Sequence, residues 1–185
     1  MKISEIGRGP AQPIPPEIET VEGFLRMITD KHEVFYHENP TKQFNPLLMV
    51  LCENGEIFPI MPQWDSEAEK QVFCLQMQVA FKLWRVKSYV FAMEAWLSSA
   101  AVQHINEDGS IDEGKNASEQ PDRKEVIFTI AVDKTNKVQK CLEIKRDYLG
   151  HPHLVDFPEM DGTDFAGRFA NLLNNGNDFQ SIRRP

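Results

Sequence analysis

Residues 47–61 read Leu-Leu-Met-Val-Leu-Cys-Glu-Asn-Gly-Glu-Ile-Phe-Pro-Ile-Met, and this stretch decides the fold class. Leu47 to Cys52 is an unbroken apolar run, and a second run covers Ile57 to Met61. Between them stands Asn54-Gly55. Asn-Gly between two apolar runs is the strongest short-range signal of a β-hairpin, because both residues tolerate a positive φ. Pro59 and Pro62 move the second strand to a sheet edge, since proline cannot donate to a strand ladder.

Downstream, Asp65 to Trp84 reads as a helix. Ser66 and Glu69 form the S-x-x-E pattern of a capping box. Val72, Phe73, Leu75, Met77, Val79, Ala80, Phe81, Leu83 and Trp84 make a wide apolar stripe, which predicts a helix buried against a sheet. Three strands follow at Ser88–Trp96, Glu125–Asp133 and Lys137–Arg146, and a short helix at Asp164–Asn174. Upstream, Val21, Phe24, Leu25 and Ile28 predict a helix over Glu17–Asp30. The expected architecture is α+β: a small, mainly antiparallel sheet of about five strands with two to three helices, in the order α-β-β-α-β-β-β-α. It forms one domain over 17–174. Residues 1–16, with four prolines, read as an extended arm, 97–122 as a long acidic loop and 175–185 as a polar tail. The element order resembles the roadblock and profilin-like folds, and that resemblance implies a small interaction module or dimer.

The formal net charge is -8 over 185 residues. Half of it lies between His104 and Glu119, where five acids (Glu107, Asp108, Asp112, Glu113, Glu119) meet one Lys115. Binding nucleic acid through its phosphates needs a basic face, and only short groups such as Lys137, Lys140, Lys145 and Arg146 are present, so nucleic acid is not expected as a partner. Cys52, Cys74 and Cys141 are far apart and odd in number, with no C-x-x-C, which predicts reduced, buried thiols in a reducing compartment. No apolar run approaches the ~18 residues that span a bilayer, and the first residues lack the apolar core of a signal peptide, so a cytoplasmic protein with no membrane partner is expected. Neither a nucleotide-binding glycine loop nor a G-x-S-x-G nucleophile motif occurs.

Two places carry candidate chemistry. In the first, alternation puts Tyr89, Phe91, Met93 and Ala95 on one strand face with Val126, Phe128, Ile130 and Val132. Glu94 and Trp96 then fall on the opposite face with Arg123 and Glu125. In an antiparallel hairpin Arg123 would meet Glu94 or stack on Trp96. That face also carries Val90, Ala92, Ile127 and Ala131, so a helix or a partner must cover it. The structural alternative is a sheet end closed by an ion pair and a tryptophan lid. Met93-Glu94-Ala95-Trp96, a polar spacer and Pro121-Asp122-Arg123-Lys124-Glu125-Val126 resemble a pattern in uncharacterised bacterial and phage-associated proteins, which implies no activity.

The second place is Gly150-His151-Pro152-His153, followed by Asp161 and Asp164. Two histidines one residue apart can both face a metal from an extended segment. The spacing resembles the signature of JAMM-type metalloisopeptidases. That resemblance implies zinc on His151, His153 and Asp164 with an upstream glutamate as base, for which Glu94, Glu125 and Glu143 compete and Glu94 is favoured. Asp161 stands where the family has serine, and Leu154 where proline usually follows. The plain alternative is a pair of loop histidines.

Three functions follow as expectations. The first is a non-enzymatic interaction or assembly module without cofactor, forming a homo-oligomer through an exposed sheet edge or face. The second is a zinc-dependent hydrolase on His151, His153 and Asp164. The third is a small-ligand site between sheet and helices, near Trp96 and Arg123.

Overall fold

The computed structural model describes residues 14–97, 121–157 and 168–173. Six strands form one antiparallel sheet: β1 (Leu47–Cys52), β2 (Ile57–Ile60), β3 (Val86–Leu97), β4 (Lys124–Asp133), β5 (Lys137–Arg146) and β6 (Pro152–Asp156). Their spatial order is β2-β1-β3-β4-β5-β6. Two helices, α1 (Val21–Glu38) and α2 (Glu67–Trp84), precede β1 and β3. The α+β class and element order are as expected, with one strand more.

The extra strand comes from the histidine segment. Asp147 closes a tight turn: its carbonyl accepts the Gly150 N–H at 2.9 Å, and its carboxylate accepts the N–H groups of Leu149 at 2.8 Å and His151 at 2.9 Å. Gly150 supplies the positive φ of 84°. The chain thus reverses and β6 pairs with β5. The Asn54-Gly55 hairpin is built the same way. Cys52 O accepts the Gly55 N–H at 3.0 Å, and of the two turn residues only Gly55, at 84°, has a positive φ. This is a three-residue loop ending in a left-handed glycine, the geometry of a glycine bulge.

The sheet separates two cores. On one face α1 buries Val21, Phe24, Ile28, His32 and Tyr36, at spacings of three and four, against Leu51, Val90, Ala92, Ile127, Ala131, Leu142 and Ile144. The apolar second face of β3 and β4 is therefore covered by the chain's own helix. The predicted first helix is also displaced: Pro16–Ile18 is a separate 3₁₀ turn, and α1 runs on through Tyr36 to Glu38. On the other face α2 packs Cys74, Met77, Ala80 and Phe81 against Leu48, Val50, Tyr89, Phe91, Ile130 and Val132.

The expected helix at Asp164–Asn174 is, among the described residues, a 3₁₀ turn over Arg168–Asn171. It is held from inside: the buried Tyr89 hydroxyl donates to Phe169 O at 2.5 Å and accepts the Leu172 N–H at 3.3 Å, while Phe169 stacks on Phe91 at 3.9 Å.

Helix α2 departs from expectation in one respect. Its apolar residues form two stripes. Val72, Leu75, Val79 and Leu83, read above as part of one buried surface, stand exposed on the side away from the sheet.

The two sheet edges are short. β2 has four residues with an exposed Pro59, and β6 has five beginning at Pro152. Proline and brevity both blunt an edge against pairing with another chain. Among the described residues no helix is long and apolar enough to cross a membrane. All three cysteines are buried. The arm to residue 13, the acidic segment 98–120 and the tail from 174 lie outside the described residues.

Candidate functional site

The first candidate assembles at one end of the sheet, where β3 ends and β4 begins. The pairing of Trp96 with Glu125 and Glu94 with Ile127 is that of the expected antiparallel hairpin. Glu94, Trp96 and Glu125 share the α1 face, as alternation required.

Of the two contacts open to Arg123, the structure shows the stack: its guanidinium carbon lies 5.3 Å from the centroid of the Trp96 ring. Trp96 is 41% exposed and Arg123 is exposed, so this lid faces water. A cation over an exposed ring contributes about 0.5–1 kcal/mol, enough to bias both rotamers but not to lock them.

Glu94 is held from the other side. The hydroxyl of Tyr36, at the end of α1, donates to Glu94 Oε1, and the same oxygen accepts the Phe44 N–H at 2.7 Å. Burial, with the hydrogen bond and charge of Glu94, pushes the Tyr36 pKa far upward, so the hydroxyl stays a donor. Glu94 thus ties the end of α1 and the loop before β1 to the end of β3. A second tie runs beside it: the Arg146 guanidinium contacts both Glu125 carboxylate oxygens, at 3.1 and 3.2 Å, and donates to Pro40 O at 3.3 Å.

These ties frame a cavity of about 290 Å³, walled by Lys42, Glu94, Trp96, Glu125 and Arg146. Next to Arg146, the β5–β6 turn carries Tyr148, 93% exposed, and Leu149, 62% exposed. The sequence reading missed Tyr36, Phe44, Arg146 and Tyr148. Only Arg146 and Tyr148 left a signal, as the basic end of a strand and an aromatic beside a glycine turn.

The histidine candidate lies on the β5–β6 turn and the start of β6. His151 and His153 are both exposed, with His151 Nδ1 3.5 Å from the Asp147 carboxylate. Hydrogen bonds from the main chain at His151, Leu149 and Gly150 and the charge of His151 hold the Asp147 carboxyl below the usual range. Leu154 packs in the α1 core, so His153 points to the opposite face of β6. Glu94 is on the α1 face three strands away, which at the usual strand spacing is about 14 Å. The favoured base and the histidine pair are therefore not brought together. Asp164 and Asp161 lie outside the described residues, and among the described residues no three His, Cys, Asp or Glu side chains are grouped to hold a metal.

Comparison with protein-family models, with curated proteins and with solved structures finds no match for this chain.

Proposed function

We propose that this chain is a non-enzymatic protein-interaction module that presents the Trp96 end of its sheet to a protein partner. The observation that carries this reading is the exposed set at that end: Trp96 under Arg123, with Tyr148 at the neighbouring turn. Trp, Arg and Tyr are the side chains that most often anchor protein interfaces. The cavity beside them supports the same reading. Its volume of about 290 Å³ lies at the bottom of the roughly 300–1,000 Å³ range of small-molecule sites, and it suits one partner side chain better than a cofactor. Its wall balances Glu94 and Glu125 with Lys42 and Arg146, so an uncharged polar or apolar side chain of the partner fits it.

A photo-reactive side chain in place of Tyr148 tests the reading. In native extract it should give a discrete adduct with a second protein, identified by mass spectrometry and lost when Trp96→Ala is combined with it. Equal labelling with and without Trp96 would remove the sheet end from the interface. The zinc alternative retains His151 and His153 as adjacent exposed donors. It predicts about one zinc per chain after purification without chelator, and a melting temperature unmoved by added zinc would end it.

A further inference from the structure

The end of the sheet away from Trp96 holds a further cavity, and a residue in an uncommon backbone conformation stands at its mouth. Helix α2 ends at Trp84 and β3 begins at Val86, so Arg85 alone makes the connection. With no other residue to take the turn, Arg85 adopts φ 54° and ψ 54°, the left-handed region. Its N–H donates to Lys82 O at 3.3 Å, and its carbonyl accepts the Glu53 N–H at 2.9 Å. Glycine is favoured at such a helix end, because a Cβ is penalised there. Among the described residues Arg85 is the one non-glycine with a positive φ. Its side chain, 78% exposed, meets Glu53 Oε2 at 2.7 Å, and Lys134 of the β4–β5 turn meets Glu53 Oε1 at 2.9 Å. Ion pairs this exposed contribute little to stability, so Glu53 does not by itself account for an arginine here.

The cavity has a volume of about 480 Å³. Among the described residues its charged lining is Lys82, Arg85, Lys134 and Glu53, and Phe81, Val86 and Leu172 line it too. The charged residues are exposed and these apolar ones buried, so the charges form the mouth and the apolar surface the floor. The hydrogen bond from Lys134 and the charges of Arg85 and Lys134 hold the Glu53 carboxyl below its usual range, so it counts as ionised. Three cations against one carboxylate leave a surplus of two positive charges, which the C-terminal end of α2 lowers to about +1.5.

We propose that this cavity binds a small organic phosphate monoester, its phosphate at the mouth on Lys82, Arg85 and Lys134 and its apolar body on the floor. The charge matches, since a phosphate monoester carries about −1.5 to −2 at pH 7. The donors match as well. Arg85 and Lys134 each keep N–H groups beyond those that Glu53 takes, and a guanidinium offers phosphate two parallel hydrogen bonds. Glu53 sets these two cations, from separate connections, side by side. The volume lies within the roughly 300–1,000 Å³ of small-molecule sites, and a bare inorganic anion would leave the apolar floor uncovered. Val86 and Trp96 lie at opposite ends of β3, about 33 Å apart, so this site is separate from the Trp96 end.

Amide shifts of the full ¹⁵N-labelled chain, titrated at low salt with phenyl phosphate, provide the test. Saturable shifts should centre on Glu53, Lys82, Arg85, Val86 and Lys134, with a dissociation constant on the order of 1 mM for a probe of so few atoms. Inorganic phosphate should bind at least about tenfold more weakly for want of the apolar contact, and phenol should not saturate. Arg85→Gly should abolish saturation with the melting temperature unchanged or raised, because glycine suits that backbone. Lys82→Ala, whose backbone is ordinary helix, should weaken binding about fivefold. An absence of saturation, or shifts centred on other residues, would overturn the site. Inorganic phosphate binding as tightly as phenyl phosphate would overturn the ligand class. Arg85→Gly that binds like wild type, or that melts lower, would return Arg85 to a structural role and overturn the proposal, as would Lys82→Ala that binds like wild type. Cosedimentation with phosphatidic acid vesicles and no response to phenyl phosphate would put a lipid surface in place of the small molecule.

Discussion

His32 lies fully buried on α1, with neither ring nitrogen hydrogen-bonded among the described residues and Phe44 edge-on at 4.7 Å. Burial pushes its pKa down from 6.5 to about 4. The sign of the consequence follows from linkage. Below pH 6.5 the unfolded chain takes up a proton here that the folded chain refuses until about pH 4, so stability is complete above 6.5 and falls between the two values. The loss is about 3 kcal/mol. Urea unfolding at pH 7.5 and 4.5 measures it, and His32→Leu should remove most of that part of the pH dependence. An equal pH slope in the variant would show that carboxylates alone cause it. At this scale the sequence was legible where neighbours in a strand pair decide the contact. Arg123 over Trp96 follows from alternation and pairing. The hold on Glu94 does not, because Tyr36 is 58 residues distant and nothing local marks it.

The elements are fixed by their ends. Thr20 caps α1, its hydroxyl accepting the Gly23 N–H at 3.1 Å, and the 3₁₀ turn before it lies directly on the helix. A Cβ on Gly23 would stand 1.9 Å from Glu17 O, a backbone atom that must move to admit it. Gly23→Ala should therefore destabilise the fold by about 1–3 kcal/mol in chemical denaturation despite alanine's better helix propensity. At α2, the Ser66 hydroxyl accepts the Glu69 N–H at 3.2 Å while the Glu69 carboxylate accepts the Asp65 N–H at 2.6 Å. Ser66→Ala should cost about 1 kcal/mol in the same measurement. Caps and hairpins were readable because each is a local contact. The two stripes of α2 were not. A helix apolar around most of its girth gives one broad signal, and only the position of the sheet tells which side is buried. For the same reason β6 was missed: its five residues carry no apolar alternation strong enough to outweigh two histidines and a proline.

Two long-range strand pairings hold the sheet together, and β3 makes both of them. β1–β2, β4–β5 and β5–β6 are short hairpins, whereas β3 pairs with β1, as in Val50 with Tyr89, and with β4, as in Val90 with Ala131, across comparable stretches of chain. Contacts between distant segments dominate folding rates. Val50→Ala, in the long-range β1–β3 pairing, should therefore slow refolding, while Leu154→Ala, in the outer strand of a local hairpin, should mainly speed unfolding. Stopped-flow chevrons separate the two. Equal partition of both changes between the two arms would contradict folding limited by long-range pairing.

The place of β1 between β2 and β3 also matters at the ribosome. When Leu47–Cys52 emerges it can pair at once with β2, but its other edge, with Leu48 and Val50 above it, has no partner until β3 is complete about 45 residues later. At roughly 5–20 residues per second that interval lasts about 2–9 seconds. During it the nascent chain shows a bare apolar edge, the kind of segment that holdase chaperones retain.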